Sequence, residues 1–122
     1  MVTVAQKEAL RRRLEAERQR LRGEIAALAA QLPEYDGSPN DSHYGNHVAD
    51  EATDTLEEEK ALALQAHLQG MLGEVEAALE RMETGEYGIC ENCREPIAIE
   101  RLEAIPWARY CLRCKSAQER AR

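Results

Sequence analysis

Residues 87–115 read YGICENCREPIAIERLEAIPWARYCLRCK and hold every cysteine of the chain, in two CxxC pairs: Cys90 with Cys93, and Cys111 with Cys114. Seventeen residues, Arg94 to Tyr110, lie between the pairs. A CxxC turn presents two thiolates on one side of a tetrahedron, and a second pair returning from a short loop completes it. Four thiolates leave no open coordination position, which marks a structural rather than a catalytic zinc site. Two disulfides would need an oxidising compartment, and nothing in the chain points to one. A redox CxxC is usually single and sits in a βαβ context, which is absent. The expected ligands are therefore Cys90, Cys93, Cys111 and Cys114, with Zn²⁺ in a structural role.

A segment this short buries too little surface to fold alone, so the metal would supply much of its folding free energy. Ile89, Ile97, Ile99, Leu102, Ile105, Trp107 and Tyr110 are expected to pack around it. Residues 113–122 read as a short basic helix.

Working toward the N-terminus, residues 48–84 read as a long helix. Its apolar positions are Ala49, Ala52, Leu56, Ala63, Leu64, Leu68, Met71, Leu72, Val75, Leu79 and Met82, and Gly85 ends it. Gly70 and Gly73 interrupt it and mark a bend or a close helix contact. Residues 33–47, PEYDGSPNDSHYGNH, are too rich in Pro, Gly, Asn and Asp for a continuous helix. Residues 3–32 read as another helix, with Thr3 as N-cap and Pro33 as its end. Leu10, Leu14, Leu21, Ile25, Leu28 and Leu32 form one stripe, interrupted by Glu17 or Arg18. The fold class is mainly α. A long antiparallel helical hairpin (residues 1–84, tip near 33–53) pairs over roughly 45 Å. A four-cysteine zinc-finger module with a short C-terminal helix (85–122) follows it.

Composition agrees with a rod rather than a ball. Of 122 residues, 32% are charged, none is Phe and one is Trp. A hairpin buries a narrow stripe and tolerates that scarcity of aromatics. The net charge of −7 is unevenly spread: residues 1–32 carry +3, residues 33–86 carry −12 and residues 87–122 carry +2. Counterion release needs a basic footprint, so duplex DNA is not expected as the main partner, and no sequence-specific DNA contact is expected. No apolar h-region opens the sequence and no stretch approaches the roughly 20 apolar residues of a membrane span. A soluble, cytoplasmic protein without membrane contact is expected.

With these residues in view, TGEYGICENCREPIAIERLEAIPWARYCLRCK resembles the zinc-finger module of the DksA/TraR family of RNA polymerase-binding transcription factors. The likeness includes Tyr87-Gly88 before the first cysteine, Arg101-Leu102 with Ala104 and Pro106 in the loop, and Lys115 after the last cysteine. The helical hairpin resembles that family's coiled coil, so the likeness extends over about residues 3–122. Arg94 departs from it, standing where the family often has Gly after the first CxxC.

The resemblance implies a coiled coil that enters the secondary channel of bacterial RNA polymerase, with its tip near the active site. The family's tip motif is Asp-x-x-Asp-x-Ala-Thr, and here the stretch is His47-Val48-Ala49-Asp50-Glu51-Ala52-Thr53. Asp50 and Ala52 match, His47 replaces the first acid, and Asp54 lies one turn further on. Physically, an acid at the end of a rod reaches basic side chains or hydrated Mg²⁺ that a globular surface does not. A helix N-terminus near Ala49 favours Asp50. The resemblance also implies guanosine tetraphosphate as co-regulator. Of the family's basic contact positions, Lys115 is kept, while the others fall at Glu74 and Ile105. Phosphate recognition rests on Arg and Lys, so weak or absent synergy is expected.

With four thiolates present, His43, His47 and His67 are expected as surface residues. The run Glu57-Glu58-Glu59-Lys60 reads as a solvated face. Arg11, Arg12, Arg13, Arg18, Arg20 and Arg22 are expected to pair with acids of the second helix. No nucleophile–base pair, Gly-rich phosphate loop or open metal site is present, so no enzymatic role is expected. The expected function is a monomeric transcription regulator acting on RNA polymerase. The alternative is a zinc-dependent structural adaptor or nucleic-acid-binding protein with a coiled-coil arm, which oligomeric state and salt-dependent DNA binding would distinguish.

Overall fold

The computed structural model describes residues 2–31 and 48–121. Its helices are α1 (Val4–Gln31), α2 (Val48–Thr84), α3 (Ile99–Ala104) and α4 (Leu112–Arg120). Leu32, Pro33, His43 and His47, with the rest of 32–47, lie outside the described residues.

α1 starts where its capping chemistry dictates. The Gln6 amide donates to Thr3 Oγ1 at 3.1 Å, and the Thr3 amide donates to Gln6 Oε1 at 3.0 Å. This reciprocal box satisfies backbone donors at the helix start. Arg11 pairs with Glu83 at 2.9 Å and Arg22 with Glu76 at 2.8 Å, so sequence numbers rise along α1 as they fall along α2. The helices are therefore antiparallel.

Between them Leu10, Leu14 and Leu21 of α1 meet Leu68, Val75, Leu79 and Met82 of α2, all buried, with Ile25, Leu28, Met71 and Leu72 partly buried beside them. Each fully buried Leu contributes roughly 2 kcal/mol of transfer free energy. The inward phase of α2 runs through Ala61, Gln65, Leu68, Leu72, Val75, Leu79 and Met82, in alternating steps of four and three. That phase corrects three members of the expected face: Leu56, Ala63 and Leu64 fall off it and are exposed, Leu56 and Leu64 at 52% and 48%. Glu57, Glu58, Glu59, Lys60 and His67 are exposed, as expected.

Two further expectations are revised. Gly70 and Gly73 mark no close contact: α2 is continuous through them, and a Cβ at either would meet nothing within 4 Å. The arginines divide their partners. Arg11 and Arg22 cross to α2, but Arg20 binds Glu17 and Glu24 of its own helix, because spacings of three and four place those groups on one face. Its hydrogen bond holds the Glu17 carboxyl below its usual range.

α2 ends at Gly85, whose φ of +82° suits a residue without Cβ. The Glu86 and Tyr87 amides both donate to the Arg81 carbonyl, at 3.0 and 3.2 Å. The chain then turns into the cysteine module, which is seated on the end of the hairpin. Tyr87 donates its hydroxyl to the Pro106 carbonyl at 2.7 Å. Arg13 donates to the Glu103 carbonyl at 2.6 Å, and Arg81 reaches the Trp107 and Ala108 carbonyls at 3.4 and 3.5 Å. Leu10, Met82, Tyr87, Ile97 and Leu102 belong to one apolar cluster, so the core passes from rod to module without a break. Among the described residues, no helix is long and apolar enough to cross a membrane.

Candidate metal centre

The first cysteine turn is built by backbone. An isolated antiparallel bridge joins Ile89 to Pro96, the Cys90 amide donates to the Glu95 carbonyl at 2.8 Å, and the Arg94 amide donates back to the Cys90 carbonyl at 2.9 Å. Closing so tight a loop forces Arg94 to φ = 65°. That is the left-handed region, which costs a residue with a Cβ on the order of 1 kcal/mol. The departure at this position thus has a local energetic consequence. Gly88 is also left-handed, at φ = +83°, and its amide neighbourhood is close: a Cβ there would lie 3.3 Å from Val2 Cγ2 and 3.6 Å from Leu102 Cδ1.

The second pair sits at the start of α4. Cys111 is its N-cap residue and Cys114 lies in its first turn, and the Lys115 amide donates to the Cys111 carbonyl at 2.9 Å. A helix N-terminus favours thiolates. α3 and the loop through Ile105–Tyr110 bring this pair back to the first. The Arg101 Nε donates to the Tyr110 carbonyl at 2.9 Å, and the Glu91 amide donates to the Arg109 carbonyl at 2.9 Å.

All four Sγ atoms lie within 4.8 Å of one another, and Cys93 and Cys111 are 3.9 Å apart. A zinc–thiolate tetrahedron with bonds of about 2.3 Å has edges of about 3.8 Å. No disulfide joins them. The donor set and spacing fit a structural Zn²⁺ held by Cys90, Cys93, Cys111 and Cys114, with Cys90 and Cys114 buried and the other two partly exposed. Asn92 donates to Cys114 Sγ at 3.3 Å, a second contact that orients a ligand.

Burial pushes the Cys90 thiol up, but backbone hydrogen bonds from Cys93, Cys111 and Asn92 outweigh it and bring it down to about 6. Backbone donation from Cys114 lowers Cys111. Cys114 goes the other way, to about 11: Asn92 pulls it down, while the crowded Cys111, Cys90 and Cys93 and its own burial push harder. Four thiolates so close repel one another, and a divalent cation relieves that repulsion.

The remaining site residues fall in two places. Asp50, Ala52 and Asp54 lie on the first turns of α2, at the end remote from the cysteines. Glu74, Ile105 and Lys115, far apart in sequence, line one cavity of about 540 Å³ between α2 and the module, together with Arg101 and Arg109. Arg109 and Arg81 carry no motif in the sequence. They form a charge chain with Glu91 and Glu74: Arg81–Glu91 at 3.8 Å, Glu91–Arg109 at 3.7 Å and Arg109–Glu74 at 2.8 Å. Nothing in their sequence spacing signals it, since the partners come from separate elements.

A helical hairpin carrying a closed four-thiolate finger on its end defines a class of zinc-finger protein, and comparison with known proteins is specific about which. Residues 85–120 match the family described as the prokaryotic dksA/traR C4-type zinc finger. The RNA polymerase-binding transcription factor DksA of Escherichia coli K12 is 32% identical over 109 residues, covering 89% of this chain and 68% of that protein. The protein of the same name from Haemophilus influenzae is 36% identical over 83 residues, covering 60% and 57%. The uncharacterized protein YteA of Bacillus subtilis is 45% identical over 74 residues, covering 61% and 31%. The chain thus spans 31%, 34% and 57% of the length of the first curated relatives it matches. The structure of transcription factor DksA2 from Pseudomonas aeruginosa superposes with a TM-score of 0.81 at 29% identity, covering 98% of this chain and 88% of that one. The chain belongs to the DksA/TraR family; its relatives from Escherichia coli and Haemophilus influenzae are named RNA polymerase-binding transcription factors.

Proposed function

We propose that the chain is a non-enzymatic transcription regulator that binds bacterial RNA polymerase through its secondary channel. In this reading the rod carries Asp50 toward the active site while the zinc module and α4 hold the outer rim. The observation that supports it best is the likeness to DksA2, which extends over rod and finger together rather than over the finger alone. The closed thiolate site serves folding, and the reading contains no catalytic step. The protein acts as a monomer in the cytoplasm, a reading supported by Leu10, Leu14 and Leu21 of α1 being buried in one core with Leu68, Val75 and Leu79 of its own α2. Asp50 is the tip acid, Ala52 and Asp54 follow it, and His47 takes the place of the motif's first acid. Guanosine tetraphosphate has little effect, since Lys115 alone keeps its positive charge among the three positions compared.

The test is binding of the zinc-loaded chain to core RNA polymerase in competition with a known secondary-channel factor. Competition is expected at micromolar concentrations or below. Asp50→Ala is expected to keep binding within about threefold and to reduce the effect on initiation, because a tip acid acts on the reacting centre rather than on the grip. Failure to compete would overturn the reading, and an unchanged effect in the variant would remove the tip acid from it.

A further inference from the structure

The four sulfurs of the metal site are not held alike. Cys90 and Cys114 are buried, at 0% and 6% exposed, while Cys93 and Cys111 keep contact with solvent. Asn92, in the first cysteine turn, reaches across to the second and donates its side-chain amide to Cys114 Sγ at 3.3 Å. The backbone of Cys93, Cys111 and Asn92 donates toward the Cys90 sulfur, and the Arg113 guanidinium stands against Cys93. Cys111 takes its donor from the backbone of Cys114, inside its own turn. Of the four cysteines it alone lines a second cavity, of about 480 Å³, with Ala98, Ala104, Ile105, Leu112 and Arg101.

We propose that metal exchange at this site runs in a fixed order: Cys111 yields first, to a small thiolate ligand arriving through the adjoining cavity, and Asn92 holds Cys114 to the last. Exchange is a substitution. The incoming sulfur gives a lone pair to the metal, the Cys111 sulfur leaves with its own pair and takes a proton from water, and coordination stays at four. Burial of Cys90 and Cys114 denies the newcomer an approach from their side. On the Cys111 side the walls are apolar and Arg101 supplies a positive charge, which suits a small anionic sulfur. Asn92 keeps the Cys114 sulfur in position when its bond to the metal loosens, so that the bond re-forms faster than the ligand is lost. The inference rests on the thiolate site and the cavity beside it, not on the polymerase reading.

The experiment treats the zinc-loaded full chain with 2-mercaptoethanol and records released zinc with a chromogenic chelator. Samples are pulsed with excess iodoacetamide, whose carbon takes the freed sulfur as iodide leaves, and the labelled cysteines are mapped by mass spectrometry. Release is expected to quicken with thiol concentration, with Cys111 labelled first and Cys114 last. Asn92→Ala is expected to release zinc at least about fivefold faster and to label Cys114 no later than Cys93. Asn92→Gln, which keeps an amide donor, is expected to leave Cys114 last. Ala104→Leu, which fills the cavity, is expected to slow release at least about threefold. Full zinc content and unchanged helicity before the thiol is added report an intact fold; where a variant disturbs either, Asn92→Leu or Ala98→Leu takes its place. Labelling of any other cysteine ahead of Cys111, or release independent of thiol concentration, overturns the proposal. So does a gain below about fivefold without the Asn92 amide, or unslowed release with the cavity filled.

Discussion

The guanidinium of Arg81 lies 3.8 Å from the carboxylate of Glu91, the residue that follows the first cysteine of the metal site. The Arg81 side chain is only 11% exposed, and burial lowers its pKa against the attraction of Glu91. Arg81→Met, which keeps the apolar stem, leaves Glu91 with Arg109 alone and removes the donor to the Trp107 and Ala108 carbonyls. The expected loss is about 2 kcal/mol of unfolding free energy in urea. Arg12→Met on the exposed face of α1 is the control, expected within about 0.5 kcal/mol.

Metal removal should separate module from rod. Trp107, the one tryptophan, lies in the module, so its emission reports there, whereas helicity reports mainly α1 and α2, with 28 and 37 residues against 6 and 9 in α3 and α4. Chelation, or Cys114→Ser, is expected to shift Trp107 emission to the red and to keep roughly four fifths of the helical signal. Unchanged emission after complete zinc loss would show that the module folds without its metal.

Backbone conformation predicts opposite signs at similar-looking positions. Gly88→Ala meets Val2 at 3.3 Å in a left-handed conformation and should cost about 1–2 kcal/mol. Arg94→Gly relieves the φ of 65° and should gain up to about 1 kcal/mol. Gly70→Ala, in an open helical position, should also gain up to about 1 kcal/mol. Thermal melts of the three variants test all the signs together.

Alkaline pH offers another handle. Burial pushes the Tyr87 hydroxyl up to about 12, although Arg81 and Arg13 pull it down. A folded-state pKa above the unfolded value of about 10 favours the protonated form, so its stabilisation is complete below about pH 10 and is lost as pH rises toward 12. Unfolding measured from pH 9 to 12 should therefore show a decline on the order of 2 kcal/mol that Tyr87→Phe lacks. At neutral pH that variant should lose about 1 kcal/mol with the hydrogen bond to Pro106.

Features with local causes were legible in the sequence. The Thr3 cap, the stop at Gly85 and the convergence of Cys90, Cys93, Cys111 and Cys114 all follow from residues close to one another or from a spacing with one geometric solution. α3 leaves no sequence signal, because six residues are too few to show a helical period. The exposure of Leu64 is not legible, because apolar character does not reveal phase; the register with α1 does. The grip of Arg13 on Glu103 joins residues 90 apart and depends on the angle at which the module is seated. The same holds for Glu74, Ile105 and Lys115, whose shared cavity exists only once that angle is set.

The seating of the finger on the rod has a mechanical consequence. At about 1.5 Å per residue, the 37 residues of α2 make a lever arm of about 55 Å. A rotation of about 5° at its base swings the far end by about 5 Å, more than the reach of a hydrogen bond. The arginines at the base therefore govern the aim of a residue they never touch, and a substitution at Arg13 or Arg81 can displace Asp50 as effectively as a change beside it.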